Sequence, residues 1–206
     1  MANPCHRYLV ALNLKDRIRA DRVSARQIVN ENVRWKETQA LVAHLRSILH
    51  DHDAVAAYAP LPTEPGFPDL ADAVAAICGE VLLPVARRSA DGTPQPLQWA
   101  VYRSGPLVQA PHGLREPPGP ALPASALRSA RTVLVPALAV DRHGVRLGRG
   151  AGFYDRSLSL RDPAARLIAV VRDDELVENL PVEPHDVAMT HALTPGYGLV
   201  TLGNGN

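Results

Sequence analysis

The run Arg131-Thr-Val-Leu-Val-Pro-Ala-Leu-Ala-Val140 is the most apolar in the chain. It leads directly into a glycine-rich segment, Asp141–Gly152, and then into helix-type sequence, Phe153–Leu160. A continuous apolar run suits a strand buried on both faces, which implies a parallel sheet covered by helices on each side. Shorter runs recur at Asp53–Tyr58, Glu80–Val85, Leu97–Tyr102, Arg166–Val171 and Val187–Leu193. Helical stretches lie among them. Trp35–Asp51 carries one apolar stripe (Leu41, Val42, Leu45, Ile48, Leu49), and Asp69–Cys78 stops at Gly79. Ala11–Asn30 is polar and Arg-rich, with Leu12, Ile18, Val23 and Ile28 as sparse apolar points, and reads as an amphipathic helix lying on something larger. Gly105–Ser125 reads as a long surface loop. The pattern predicts an α/β fold and one domain over residues 1–206. Its chemistry is expected outside the carboxyl ends of the strands, in the loops after Tyr58, Val140 and Val171.

Charge and cysteine usage remove several classes. A net charge of +1 does not suit a wholesale polyanion binder, so no nucleic-acid partner is expected. All but Lys15 and Lys36 of the 22 cations are Arg. Cys5 and Cys78 are too few for a disulfide framework and form no CxxC pair, which suits a reducing compartment. Tyr8–Leu14 makes a poor signal peptide, and no uncharged apolar run approaches the roughly 18 residues of a membrane helix. The expectation is a soluble cytoplasmic monomer with no membrane partner.

The glycine segment is the most informative. Gly148, Gly150 and Gly152 alternate after the strongest strand and before a helix. Glycine lets the backbone take positive φ and approach a ligand closely, and successive N–H groups can form an anion nest. Arg146 and Arg149 add guanidinium forks suited to phosphate, and Asp155 is placed to hold Mg²⁺ near bound phosphates. A hairpin with glycine turns and solvated arginines is the plain alternative. The segment is neither a Walker loop nor a dinucleotide fingerprint.

The stretch from Pro136 to Arg156 resembles the signature of the 5-formyltetrahydrofolate cyclo-ligase family: a proline-containing strand, Asp141, Gly144, then Arg-Leu-Gly-x-Gly-x-Gly-x-Tyr-Asp-Arg. Further matches run in the family's order. They are Lys15, Ile18, Arg19 and Arg26; Tyr58, Leu61, Pro62 and Glu64; Trp99; Gly113, Leu114, Glu116 and Pro117; Leu180, Pro181, Glu183, His185 and Asp186; and Thr194. Departures are Ala151 where some members carry Lys, Phe153 in place of Tyr, and Pro195 after the closing Thr.

The resemblance implies a three-layer α/β/α sandwich with a mainly parallel sheet, similar to the ribose-phosphate isomerase and CoA transferase-like folds. It implies a ligase that uses ATP and Mg²⁺ to cyclise 5-formyltetrahydrofolate to 5,10-methenyltetrahydrofolate, releasing ADP and phosphate. Lys15 and Arg19 would grip ATP phosphates. Arg146, Leu147, Gly148, Arg149, Gly150, Ala151, Gly152, Phe153 and Tyr154 would form the nucleotide cradle, with Arg146 and Tyr154 catalytic. Asp155 and Asp186 would be the metal ligands, and Tyr58, Glu64 and Trp99 would face the folate. His185 and Glu116 are read as structural or near the site. A ligase for another formylated or carboxylated substrate is the alternative within enzymes. Outside enzymes, the alternative is a regulator that binds a nucleotide or sugar phosphate.

Overall fold

A computed structural model describes residues 4–111, 114–183 and 186–203, with side chains from residue 14 onward. Gly113 and His185, named by the family pattern, lie outside the described residues, as does the side chain of Cys5. The chain order is α1 (Pro4–Gln27), α2 (Glu31–Ile48), β1 (Val55–Ala56), α3 (Leu70–Cys78), β2 (Val81–Val85), β3 (Gln98–Tyr102), β4 (Val108–Gln109), β5 (Arg115–Glu116), β6 (Thr132–Pro136), β7 (Ala139–Asp141), β8 (Arg146–Leu147), α4 (Phe153–Ser157), β9 (Arg166–Val170), β10 (Leu176–Val177), β11 (His191–Thr194) and β12 (Gly198–Thr201). Three 3-10 turns, Ala124–Ser129, Leu158–Leu160 and Asp173–Glu175, complete the elements used below.

Seven strands form the main sheet in the order β12-β11-β9-β6-β1-β2-β3. The five inner strands are parallel, and β12 and β3 close the edges antiparallel. The mainly parallel α/β arrangement is therefore as expected. Side-chain alternation along the strands supplies two cores. On β6, Leu134 points into the layer with α2 and α3, while Val133 and Val135 point to the opposite layer. On β9, Ile168 and Val170 join the first layer and Leu167 and Ala169 the second. The second layer is covered by short pieces, the 3-10 turns at 124–129 and 158–160, not by long helices.

The run 131–140 does not stay one strand. It breaks at Ala137–Leu138, and β7 leaves the main sheet to pair with β8 and β10. Proline at 136 offers no N–H to continue the ladder. The Ala137 carbonyl instead accepts from Arg26 Nη2, and Leu138 N donates to Leu147 O. The long loop at 105–125 contains the small β4–β5 hairpin.

Strand β1 has its chain-successor β2 on one side and β6 on the other, so chain order reverses there. Open parallel sheets bind ligands outside the carboxyl ends of the strands at such a switch point.

The two long helices attach differently. On α2, Leu41, Val42 and Leu45 are buried, and Asn30 caps the start by accepting from Asn32 N. Among the described side chains of α1, from residue 14 onward, Lys15 and Arg26 are buried, while Ile18 and Val23 are only half-buried and Ile28, just past the helix, is exposed. A cationic stripe docks the described part of α1. No helix among the described residues is long and apolar enough to cross a membrane.

Candidate active site

A cavity of about 430 Å³ opens at the switch point. Its walls come from the segment after β1 (Tyr58, Leu61, Glu64), the end of β2 (Pro84, Ala86, Arg88) and the bend after β6 (Pro136–Leu138). The glycine segment Gly148–Asp155 closes one side, and Leu114 and Arg115 of the β5 arm close another. The loops after β1 and β6 thus carry the site. The loop after β9 lies elsewhere, because Arg172 and Glu175 there are buried in an ion-pair network with Glu37 and Arg26.

The glycine segment is both a hairpin and a loop. Asp141 organises the hairpin turn: its Oδ1 accepts from His143 N and Val145 N, and its Oδ2 accepts from Leu180 N. The chain then runs through β8 into residues 148–152. Gly150 and Gly152 take φ of +87° and +75°, a region that costs a residue with Cβ. Among the described residues, no acceptor takes the backbone N–H of Arg149, Gly150, Ala151 or Gly152. These donors belong to residues that line the cavity, an arrangement able to serve as an anion nest. Helix α4 spans only Phe153–Ser157, so its dipole adds little, and the cations supply the rest of the positive potential.

Each of those cations meets a carboxylate. Arg146 is buried, donates to Asp155 Oδ1 and lies 5.7 Å from the Tyr154 ring centroid. Arg149 Nε donates to Glu64 Oε1 at 3.1 Å, and Glu64 Oε2 accepts from Leu61 N at 2.9 Å. Lys15 Nζ is 3.0 Å from Asp186 Oδ2 and 3.3 Å from Glu183 Oε2. Arg19, one turn along α1, donates to Gly148 O at 3.1 Å and pairs with Asp16.

Two phenols complete the wall. The hydroxyls of Tyr58 and Tyr154 are buried and have no partner among the described residues. Burial pushes the Tyr58 hydroxyl well above its usual range, Glu64's charge raises it further, and Arg26 opposes. Burial likewise raises Tyr154, against the pull of Arg146. Both are therefore neutral donors at physiological pH.

Most of the expected site residues converge: Tyr58, Glu64, Arg146, Gly148, Arg149, Gly150, Ala151, Gly152, Phe153, Tyr154 and Asp155 line the cavity. Others do not. Leu147 is buried in the β8 ladder. Trp99, expected to stack on a ligand, has no exposed surface and packs in the core beside Leu97 and Leu127. The edge strand turns it inward. Lys15, Arg19 and Asp186 are not on the wall, and Lys15 and Asp186 hold each other at the middle of α1. Glu116 anchors structure: its carboxylate accepts from Ala86 N and Arg87, tying the β5 arm to the end of β2. Arg88 and Arg115 line the cavity and were missed, because lone arginines in loops carry no motif.

Among the described residues no group of three or more His, Cys, Asp or Glu side chains could hold a metal by itself. Asp155, partly exposed on the wall, fits an ion that keeps most of its ligands from water and phosphate.

The sequence profile described as the 5-formyltetrahydrofolate cyclo-ligase family matches residues 11–195. A 5-formyltetrahydrofolate cyclo-ligase of Mycolicibacterium smegmatis is 53% identical over 188 residues, covering 91% of this chain and 97% of the relative. The enzyme of that name from Escherichia coli K12 is 39% identical over 64 residues, 31% of this chain and 35% of the relative. Among solved structures, the 5,10-methenyltetrahydrofolate synthetase of Aquifex aeolicus superposes with a TM-score of 0.73 at 23% identity, covering 94% of this chain and 95% of that one.

Proposed function

The chain belongs to the 5-formyltetrahydrofolate cyclo-ligase family, and from that membership we propose how its cavity carries the reaction. The enzyme converts 5-formyltetrahydrofolate to 5,10-methenyltetrahydrofolate at the expense of ATP, releasing ADP and phosphate. The formyl oxygen attacks the γ-phosphate and ADP leaves. The neighbouring folate nitrogen then closes the ring on the imino phosphate carbon, loses its proton, and phosphate departs. Such chemistry depends on alignment and on neutralised phosphate charge.

The observation that carries the assignment is one cavity in which an anion nest at residues 149–152 stands beside two neutral phenols that have no partner among the described residues. ATP phosphates sit on the nest, where Arg146, Arg149 and Arg19 are closest to hand. The reduced folate occupies the part walled by Tyr58, Leu61, Glu64 and Leu114, and Glu64 hydrogen-bonds its ring N–H groups. Tyr154 and Tyr58 donate to oxygens that gain charge as the phosphoryl group moves.

The four carboxylate pairs hold the cations in place until the anion arrives. Arg146 then turns part of its charge from Asp155 to phosphate, and Lys15 does the same from Asp186. The carboxylates so released, Asp155 first and Asp186 with it, would hold Mg²⁺, which when bound neutralises phosphate charge. The chain works as one domain and as a monomer.

The test mixes purified protein, Mg²⁺, ATP and 5-formyltetrahydrofolate and follows methenyltetrahydrofolate absorbance in the near ultraviolet. A rise that requires ATP is expected, and a trace flat with and without ATP overturns the reading. Asp155→Asn should lower turnover about a hundredfold while the circular dichroism spectrum stays native. Wild-type turnover in that variant removes Asp155 from the site.

A further inference from the structure

Two cations on the cavity wall lack the counter-charge that the others have. Arg146 and Arg149 on that wall each pair with a carboxylate, as do Arg19 and Lys15, which are not among the lining residues. Arg88 and Arg115 have no carboxylate partner among the described residues. Each instead lies on an aromatic ring and spends one donor on a carbonyl. Arg88 is 5.2 Å from the Phe153 centroid and donates to Gly92 O at 2.7 Å. Arg115 is 5.3 Å from the Phe67 centroid and donates to Pro60 O at 3.3 Å. Stacking restrains a guanidinium and leaves its remaining N–H groups free, so little ordering entropy is left to lose on binding.

The fold also brings the two segments together. Arg87 pairs with Glu116 at 2.9 Å, and Glu116 accepts from Ala86 N at 2.8 Å. Arg88 and Arg115 are the chain neighbours of that ion pair, so the strut that joins the β5 arm to the end of β2 sets both on adjoining parts of the rim. The adjacent wall is apolar, with Leu61, Leu97 and Leu114. A flat ring system followed by a chain ending in carboxylates matches this order of surfaces.

We propose that Arg88 and Arg115 are the specificity residues that receive the glutamyl carboxylates of the reduced folate. The proposal rests on the reading of the cavity as the folate site. Phosphate is already served by the nest with Arg146 and Arg149, and two further planar forks without a counter-charge suit bidentate carboxylates.

The test measures, by calorimetry, the affinities of 5-formyltetrahydrofolate and of 5-formyltetrahydropteroate, which has the same rings and no glutamate. The wild-type protein, Arg88→Met, Arg115→Met and the charge-keeping Arg115→Lys are compared. Wild type should favour the glutamylated ligand. Each Met variant should lose about tenfold of that preference, and Arg115→Lys should keep part of it. An unchanged ratio in both Met variants overturns the proposal, as does weakening that falls on ATP affinity or equally on both folates. Wild type that binds neither ligand overturns it too. Turnover is read in the same samples. Wild type that shows the preference but makes no methenyl product refutes the reaction and leaves the carboxylate receptor standing.

Discussion

Helices α1 and α2 are neighbours in sequence and are attached by opposite kinds of contact. Helix α2 buries Leu41 and Leu45 against the sheet and α3. Helix α1 presents Lys15, Arg19, Arg22 and Arg26, spaced to share one face, and each reaches a different segment. Lys15 holds Asp186, Arg19 the Gly148 carbonyl, Arg22 Asp174, and Arg26 both Glu175 and the Ala137 carbonyl. Apolar burial is non-directional and fixes a layer. Charge-assisted bonds are directional and fix points. Those points include Gly148 and Ala137, both in the cavity wall. The difference teaches that α2 secures the sheet, while α1 sets the shape of the site. A helix held by ion pairs can also trade them for an anionic ligand, which a helix held by leucines cannot.

That division can be broken in measurable ways. The largest effect is expected from Arg26→Ala, which leaves Glu175 buried without its partner and should cost about 3–5 kcal/mol in urea unfolding. It should also lower kcat/KM of the folded fraction, because the Ala137 carbonyl loses its donor. Arg26→Met with Glu175→Leu sharpens the point: stability should return and kcat/KM should not. Leu45→Ala should cost about 2–5 kcal/mol and leave kcat/KM of folded enzyme near wild type. A loss of kcat/KM in Leu45→Ala as large as in Arg26→Ala would refute the division.

Alkali should attack the apolar layer first. Burial, with the hydrogen bond to Asp72 on α3, pushes the Tyr102 hydroxyl up to about 12, and burial with the nearby Asp53 charge pushes the Cys78 thiol up to about 11. A group whose pKa rises on folding stabilises fully below its unfolded value, here about 9 for the thiol and about 10 for the phenol. That contribution is lost as pH climbs through the folded values. The urea midpoint should fall between pH 9 and 12, and Tyr102→Phe should flatten the fall. The smallest effect is expected at the exposed Arg22–Asp174 pair, where Arg22→Ala should cost about 0–1 kcal/mol and nothing in high salt.

The parallel sheet was legible because continuous apolar runs and helix periodicity are local properties of the chain. So was the glycine segment, whose backbone freedom belongs to the residue itself. Runs 80–85, 97–102 and 166–171 all became strands of the main sheet. The run 131–140 misled, since nothing local says that a proline and a distant Arg26 will divide it between two sheets. Trp99 misled for a related reason: its place in the core depends on which way the β3 edge faces the 3-10 turn at 124–129. Short β10 and β12 lacked a run long enough to read.

What the chain determined alone was its fold class and a glycine loop free to take positive φ, because backbone conformation and burial periodicity are written residue by residue. What only the tertiary structure decided was the partner of each charge. It made α1 a cationic clasp, gave Asp186 to Lys15, and left Arg88 and Arg115 uncompensated at the cavity. Ion pairing joins segments more than a hundred residues apart, and a linear order of Arg and Asp holds no record of which will meet.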